Sequence, residues 1–207
     1  MSETFETYCK EYFNRLAGGN NIQTNQETAR ERDKNILSSK KSRSFIVVGK
    51  NIKSEGPDVI SGSALDEAMV RAFQGIPLPQ GRELAVEYHF LMHANQGIYT
   101  PSKFFEMPDN GGAVNYSCQL GHTVDWSSVV AAGHTHPLYK DKPTVNRLNK
   151  YFSAGDPSIL IIKQIPLYLR TPDGKQIKVM EIRSGWVTTR DVVPGKVSKP
   201  EIWKARG

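Results

Sequence analysis

Two histidines stand one residue apart in the stretch AAGHTHP, residues 131–137 of a chain with five histidines in 207 residues. The stretch SVVAA, residues 128–132, predicts a β-strand, and side chains along a strand alternate between its two faces. His134 and His136 would therefore point to the same side. Two imidazoles on one side can share a metal ion. The simpler alternative is a pair of polar residues at the end of a strand.

A catalytic zinc ion takes three protein ligands and keeps a fourth position for water. Asp156 is the candidate third ligand, because it stands where a helix or turn is predicted to begin, in the phrase SAGD. The hydroxyl of Ser153, three residues earlier, could donate to an oxyanion at the same site. Either residue could instead be a plain cap or turn residue, and Pro157 after the aspartate suits that alternative.

The same site would need a general base, and Glu87 is the candidate. It lies in the middle of the predicted strand LAVEYHFL, where a carboxylate is costly to bury without a partner. Beside a metal it could take the proton of the attacking water. It could also simply face solvent from a half-buried strand. Glu83 and Glu106 are competitors near strand ends. No role is assigned to the other histidines, which are His89, His93 and His122.

Composition limits the class of protein. The chain is 38% hydrophobic and 23% charged, which suits a globular domain with a real core. It has no run of about 18 apolar residues that would predict a membrane span. The acidic, polar start lacks the pattern of a signal peptide, so we expect a cytoplasmic protein in the producing cell, with signal-independent export left open. The net charge of +6 is concentrated in residues 30–43 and the tail. A solvated basic linker is favoured there over a nucleic-acid surface.

The pattern of apolar residues predicts an α+β fold, with one helix packed on a mostly antiparallel sheet. An amphipathic helix is predicted over residues 3–16, followed by a polar linker over 22–43. A second helix should begin at an N-cap Ser63 and end near Gly75. Residues 138–150 are predicted as a polar loop. Strands are predicted at 83–93, 97–105, 114–120 and 129–133, and as a hairpin whose strands 167–170 and 176–180 flank the turn TPDG.

The order of Glu87, the HTHP phrase at 134–137 and the SAGD phrase at 153–156 resembles the JAMM metalloprotease motif of the JAB/MPN superfamily. The helix from Ser63, the phrase GHTH and the PLYLRTPDGK hairpin resemble the JAB-like toxin domains of bacterial polymorphic toxins and Rhs-type effectors. The resemblance covers roughly residues 60–185. The distance from His136 to Ser153 is longer than in the common motif, so a loop insertion is expected.

The resemblance implies a function and a fold. His134, His136 and Asp156 would bind Zn²⁺, Glu87 would handle the water proton, and Ser153 would stabilise the tetrahedral intermediate of amide hydrolysis. The fold would be a JAB/MPN-like (cytidine-deaminase-like) mixed sheet flanked by helices. The metallohydrolase domain would span 46–190, between an N-terminal helix and basic linker (1–45), which could bind an adaptor, and a basic tail (191–207).

The toxin branch further implies an effector delivered into another cell, for example by type VI secretion. Its substrate would be a protein, a peptide or peptidoglycan, and its partners an immunity protein and a secretion adaptor. Nothing in the sequence chooses among these substrates.

Three alternatives remain open. One is a metal-free MPN-like binding module. Another is a metal-dependent nuclease, loosely suggested by the basic charge and by Asn146 and Asn149 near the histidines. The last is a thiol hydrolase that pairs Cys118 with His134, although no helix N-terminus is predicted to activate that thiol. Cys9 and Cys118 lie too far apart in sequence to form a CxxC metal motif.

Overall fold

The structure is a computed structural model that describes residues 45–48, 50–78, 86–108, 126–153, 155–196 and 198–204. The predicted N-terminal helix, the basic linker and the strand at 114–120 lie outside these residues. Cys9, Cys118, His122 and Glu83 lie outside them as well.

Ten strands of the described residues form a single mixed sheet. Its main path runs β1-β2-β9-β8-β7-β6-β3-β4, while β10 pairs with β9 and β5 pairs with β3. The strands are β1 Phe45–Val48, β2 Asn51–Ser54, β3 Val86–Asn95, β4 Ile98–Pro101, β5 Phe105–Pro108, β6 Val129–Thr135, β7 Leu167–Arg170, β8 Ile177–Arg183, β9 Trp186–Asp191 and β10 Glu201–Ile202. The pairs are antiparallel except β6 with β7, which is parallel. A parallel pair needs a crossover connection, and residues 136–166 supply it.

Helix α1, Ser63–Gln74, covers one face of the sheet. Its apolar residues recur at helical spacing, so they form one buried stripe. The N-cap is Gly62, so the prediction of Ser63 as the cap was wrong by one residue. At the other end, the Arg170 guanidinium donates to the carbonyl oxygens of Phe73 and Ile76, at 2.7 and 2.9 Å. These bonds satisfy carbonyl groups at the end of the helix.

Two shorter helices lie between β6 and β7, α2 at Pro143–Leu148 and α3 at Pro157–Lys163. Each has proline in its first turn, where the missing N–H costs nothing. Helix α2 falls inside the segment predicted as a loop, so that prediction was wrong. No residue of α2 is buried, so the sequence carries no apolar stripe to reveal it.

The core divides into two apolar clusters, one on each face of the sheet. Phe90 and Met92 of β3 pack with α1, whereas Leu91 packs with the residues of α3. This is the strand alternation expected for a sheet covered on both faces. The described residues thus form three layers, with α1 on one side and α3 on the other.

The α+β class is confirmed in broad terms, as a mixed sheet flanked by helices. Residues 201–204, assigned from the sequence to a basic tail, extend the sheet: β10 pairs with β9, and Trp203 is buried in the core. The sheet therefore continues past the predicted domain end at 190. Among the described residues, no helix is long and apolar enough to cross a membrane.

Candidate metal centre

Strand β6 carries His134 into the middle of the sheet. The strand is buried along most of its length and has small residues at Ala131, Ala132 and Gly133. A β-carbon at position 133 would lie 2.5 Å from the Phe90 ring, so only glycine lets α1 pack this close. Because neighbouring side chains alternate, His134 then points to the opposite face, toward α3.

His136 lies just beyond the end of β6 and on the same side as His134. Its Nδ1 is 2.9 Å from the carbonyl oxygen of Asn149. A carbonyl oxygen only accepts hydrogen bonds, so Nδ1 carries a proton, and Nε2 is the nitrogen left to face the site. Metal-binding histidines usually have such a partner on the second ring nitrogen.

Asp156 is the N-cap residue of α3, but its side chain makes no capping hydrogen bond. The carboxylate is held by the backbone N–H of Ser153, which donates to Oδ2 at 2.5 Å. Its Oδ1 lies 3.4 Å from Nε2 of His134, and its Oδ2 lies 3.9 Å from Nε2 of His136. The geometry therefore favours the ligand interpretation over the plain cap.

The ligand atoms of His134, His136 and Asp156 lie within 4.8 Å of one another. The two Nε2 atoms are 3.1 Å apart. Two ligands about 2.1 Å from a tetrahedral zinc ion would be roughly 3.4 Å apart, so the spacing fits one ion. Two nitrogens and one carboxylate also match a donor set that zinc prefers. These three residues could together hold one metal ion, as the sequence predicted.

Burial keeps the inner histidines neutral. His134 is 2% exposed, and burial lowers its pKa to about 4, against the opposing charge of Asp156. Burial likewise lowers the pKa of His89 to about 3, again opposed by Asp156. Neutral imidazole is the form that binds a metal. Nδ1 of His134 is buried with no hydrogen-bond partner among the described residues.

The predicted general base Glu87 lies on the same face as the histidines. His89 pairs with His134 across β3 and β6, and extending this register by two residues places Glu87 opposite His136. Its side chain is 20% exposed, so it is open to water. Glu106 pairs with Tyr88 and therefore lies on the other face of the sheet. Of the described carboxylates considered for this role, only Glu87 lies on the face of the site.

Ser153 lies at the exposed mouth of the site, three residues before Asp156. Its backbone contacts are clear, because its N–H holds the aspartate and its carbonyl oxygen accepts from the Asp156 N–H at 3.3 Å. Its proposed role in stabilising an oxyanion stays a prediction.

His89 belongs to this site although the sequence analysis assigned it no role. Its ring stacks on His134 with centroids 5.6 Å apart and planes 3° apart, and its Nε2 lies 3.1 Å from Oε2 of Glu87. The signal was available: His89 stands two residues after Glu87, so the two share a face of the strand. Phe152 closes the site from another side, with its ring centroid 6.2 Å from that of His134.

The two asparagines considered for a nuclease site stabilise the loop instead. Asn146 bonds both the N–H and the carbonyl of Tyr139. The Asn149 amide donates to the carbonyl of Pro137 at 2.8 Å. These contacts show a structural role for both side chains. They also fix the segment between His136 and Ser153 beside the site.

Models of protein families, curated proteins and solved structures were compared with the chain, and none matches it. The case for a function therefore depends on the residues and their geometry.

Proposed function

We propose that the chain is a zinc-dependent amide hydrolase of JAMM type, either a peptidase or an isopeptidase. One observation carries the proposal. Three ligand atoms converge within 4.8 Å on one face of the sheet, with the Glu87 carboxylate beside them on the neighbouring strand. The order and types of these residues in the sequence predicted that they would form one site. A cluster that only stabilises the fold would not require two histidines, an aspartate and a glutamate together.

Each residue of the site would have its own role in amide hydrolysis. His134, His136 and Asp156 would hold the ion, which when bound would polarise the substrate carbonyl and lower the pKa of water to about 7. Glu87 takes the proton of the attacking water and returns it to the leaving amine. The Ser153 hydroxyl donates a hydrogen bond to the oxyanion that develops on the carbonyl.

The burial of these side chains agrees with their proposed roles. The inner histidines are almost fully buried, whereas the side chains of Asp156 and Glu87 are 15% and 20% exposed. The site therefore has a buried inner side, which Phe152 helps to close, and a mouth that is open to water. Charges act more strongly on one another in such a partly water-excluded site than in bulk water.

The biological setting is proposed from the sequence resemblance. The JAB-like toxin domains suggest a bacterial effector delivered into another cell, with an immunity protein and a secretion adaptor as partners. The amide bond would belong to a peptide, an isopeptide conjugate or a cell-wall crosslink. These parts of the proposal are separable from the chemistry and need their own tests.

Metal content tests the chemistry first. The protein would be purified without chelator, offered zinc, and analysed by mass spectrometry. We expect about one zinc per chain in the wild type and none in the His134→Ala, His136→Ala double variant. His93→Ala is the matched control, because it removes a histidine that lies four residues beyond His89 in β3 and outside the cluster. Wild-type protein without zinc would overturn the hydrolase proposal in favour of the metal-free binding module.

Hydrolysis tests the role of Glu87. Peptides, isopeptide conjugates and peptidoglycan fragments would be screened with zinc-loaded protein. We expect Glu87→Gln to lower kcat by about 10² to 10⁴-fold, since general acid–base catalysis contributes that much. Glu106→Gln, on the other face of the sheet, should leave the rate unchanged. Equal rates for the wild type and Glu87→Gln would contradict the assignment.

A further inference from the structure

We propose that His89 is a positioning residue for Glu87: it donates a hydrogen bond that fixes the carboxylate in the orientation needed for proton transfer. This inference rests on the proposed function and deepens it. It starts from the 3.1 Å contact between Nε2 of His89 and Oε2 of Glu87.

The chemistry of the two groups gives this contact its direction. A glutamate carboxylate only accepts hydrogen bonds, so the histidine nitrogen that faces it must carry the proton. Nε2–H of His89 is then the donor and Oε2 of Glu87 the acceptor. Hydrogen bonds to a charged acceptor are stronger than those between neutral groups, so the contact can hold a side chain that is partly open to water.

The surroundings hold His89 itself in place. The residue is 3% exposed, and its ring is parallel to that of His134. The backbone pairing of His89 with His134 sets the position of both rings. His89 thereby connects the metal-binding side of the site to the general base. A glutamate side chain has several rotatable bonds, and a hydrogen bond to one oxygen restricts them.

The inference predicts an effect on catalysis rather than on binding. Losing the donor would remove a bond that holds the Glu87 carboxylate in its orientation, and small misplacements of a reacting group are costly. The ligands of the metal would remain. We therefore expect kcat to fall while KM and zinc content stay near their wild-type values.

Two substitutions at His89 separate a donor from a space-filling role. His89→Met fills similar volume without an N–H, whereas His89→Gln offers an N–H at a similar reach. We expect His89→Met to lower kcat by about 10-fold to 100-fold and His89→Gln to restore most of the rate. In a Glu87→Gln background, His89→Met should cause little further loss. Wild-type kcat in His89→Met would overturn the inference, as would equal losses in the Met and Gln variants when both remain folded.

A spectroscopic measurement tests the hydrogen bond without activity. Long-range proton–nitrogen correlation spectra of the zinc-free protein report which ring nitrogen of each histidine carries the proton. We expect Nε2 of His89 to be protonated and its signal to shift in Glu87→Ala but not in Glu106→Ala. A His89 ring protonated only on Nδ1 would overturn the inference.

The two measurements distinguish this inference from the proposed function. A protein that fails to bind zinc would overturn the proposed function and the positioning role with it. Zinc binding together with an Nδ1-protonated His89 would overturn this inference alone.

Discussion

Each face of the sheet buries a group of polar side chains, and the two groups differ in how their charges and hydrogen-bonding atoms are paired. The ionic cluster lies on the face of α1, and the histidine cluster lies on the face of α3. The ionic cluster consists of Ser61, Asp66, Tyr168, Glu181 and Arg190. The histidine cluster consists of His89, His134, His136 and Asp156.

The ionic cluster pairs unlike charges and donors with acceptors. Arg190 contacts Glu181 at 3.2 Å and Asp66 at 2.8 Å, and the Tyr168 hydroxyl donates to Asp66 at 2.7 Å. The N–H of Ser61 donates to Glu181, which has no exposed surface. These bonds connect the start of α1 to β7, β8 and β9. A network satisfied in this way stabilises one arrangement of the fold.

The histidine cluster brings like atoms together instead. The Nε2 atoms of His134 and His136 and the carboxylate of Asp156 face the same small space. Nδ1 of His134 is buried without a hydrogen-bond partner among the described residues, which costs free energy. The difference shows how the two clusters can be told apart: the ionic cluster pairs opposite charges, whereas the histidine cluster collects atoms that could bind one cation.

Breaking the ionic cluster should have the largest effect on stability. Arg190→Met leaves the charges of Glu181 and Asp66 with fewer partners in a buried place. We expect the free energy of unfolding to fall by about 3 to 5 kcal/mol, measured by urea denaturation. Lys178→Met is the matched control, because it breaks the more exposed Lys178–Asp191 pair between the same two strands and should cost at most about 1 kcal/mol. Equal losses of stability in the two variants would mean that the ionic cluster contributes no more than a partly exposed ion pair.

Acid should distinguish the two clusters. The pKa values of His134 and His89 are about 4 and 3 in the fold, below the ordinary 6.5. The unfolded chain thus binds more protons between pH 6.5 and 4, so stability falls as pH falls through this range. In zinc-free protein, each histidine should lower the free energy of unfolding by about 1.4 kcal/mol for each pH unit below 6.5, until its own pKa is reached. Denaturation series at several pH values would measure the slope.

The ionic cluster should contribute little to that slope. Burial favours the protonated form of Glu181, but hydrogen bonds from Arg183, Ser61 and Arg190 hold its pKa below the ordinary value. This group therefore loses its stabilising charge only at lower pH. A flat stability curve from pH 6.5 to 4 would contradict the assignment of neutral, buried histidines.

Replacing His134 by an apolar residue should have the smallest effect on stability, and it should raise stability rather than lower it. His134→Leu removes the unsatisfied Nδ1 and keeps the site filled, so we expect zinc-free protein at pH 7 to gain about 1 kcal/mol of stability. Zinc binding should be lost at the same time. Thermal denaturation in chelator would measure the gain. A clear loss of stability would indicate that the histidine cluster also serves the fold.

The sequence predicted that His134, His136 and Asp156 would converge, from strand alternation and from the position of the aspartate at the start of a helix. His134 and His136 share a face by strand alternation, and Asp156 begins the helix that packs on that face. Glu87 could be chosen only by position in its strand, since the register between β3 and β6 is a long-range property. His89 could have been found from its position two residues after Glu87 on the same strand, although its stacking on His134 depends on the register.

Other parts of the fold could not be read from the sequence for similar reasons. Helix α2 has no buried residue, so hydrophobic periodicity gives no signal for it. Strand β10 is two residues long and depends on β9 for its pairing. The ionic cluster joins residues more than 100 positions apart, such as Ser61 and Glu181. Local patterns carry no information about such pairs.

The contact between His136 and Asn149 has a consequence for how this site could diversify. The ring is oriented by a main-chain oxygen, which every amino acid supplies, so the proton on Nδ1 depends on the path of the loop rather than on the residue at 149. The segment between them could change in length and composition while the ring keeps its tautomer, provided that the backbone returns to the same point. Related sites would then share a few ligand residues and a loop trajectory, with little sequence in common between them.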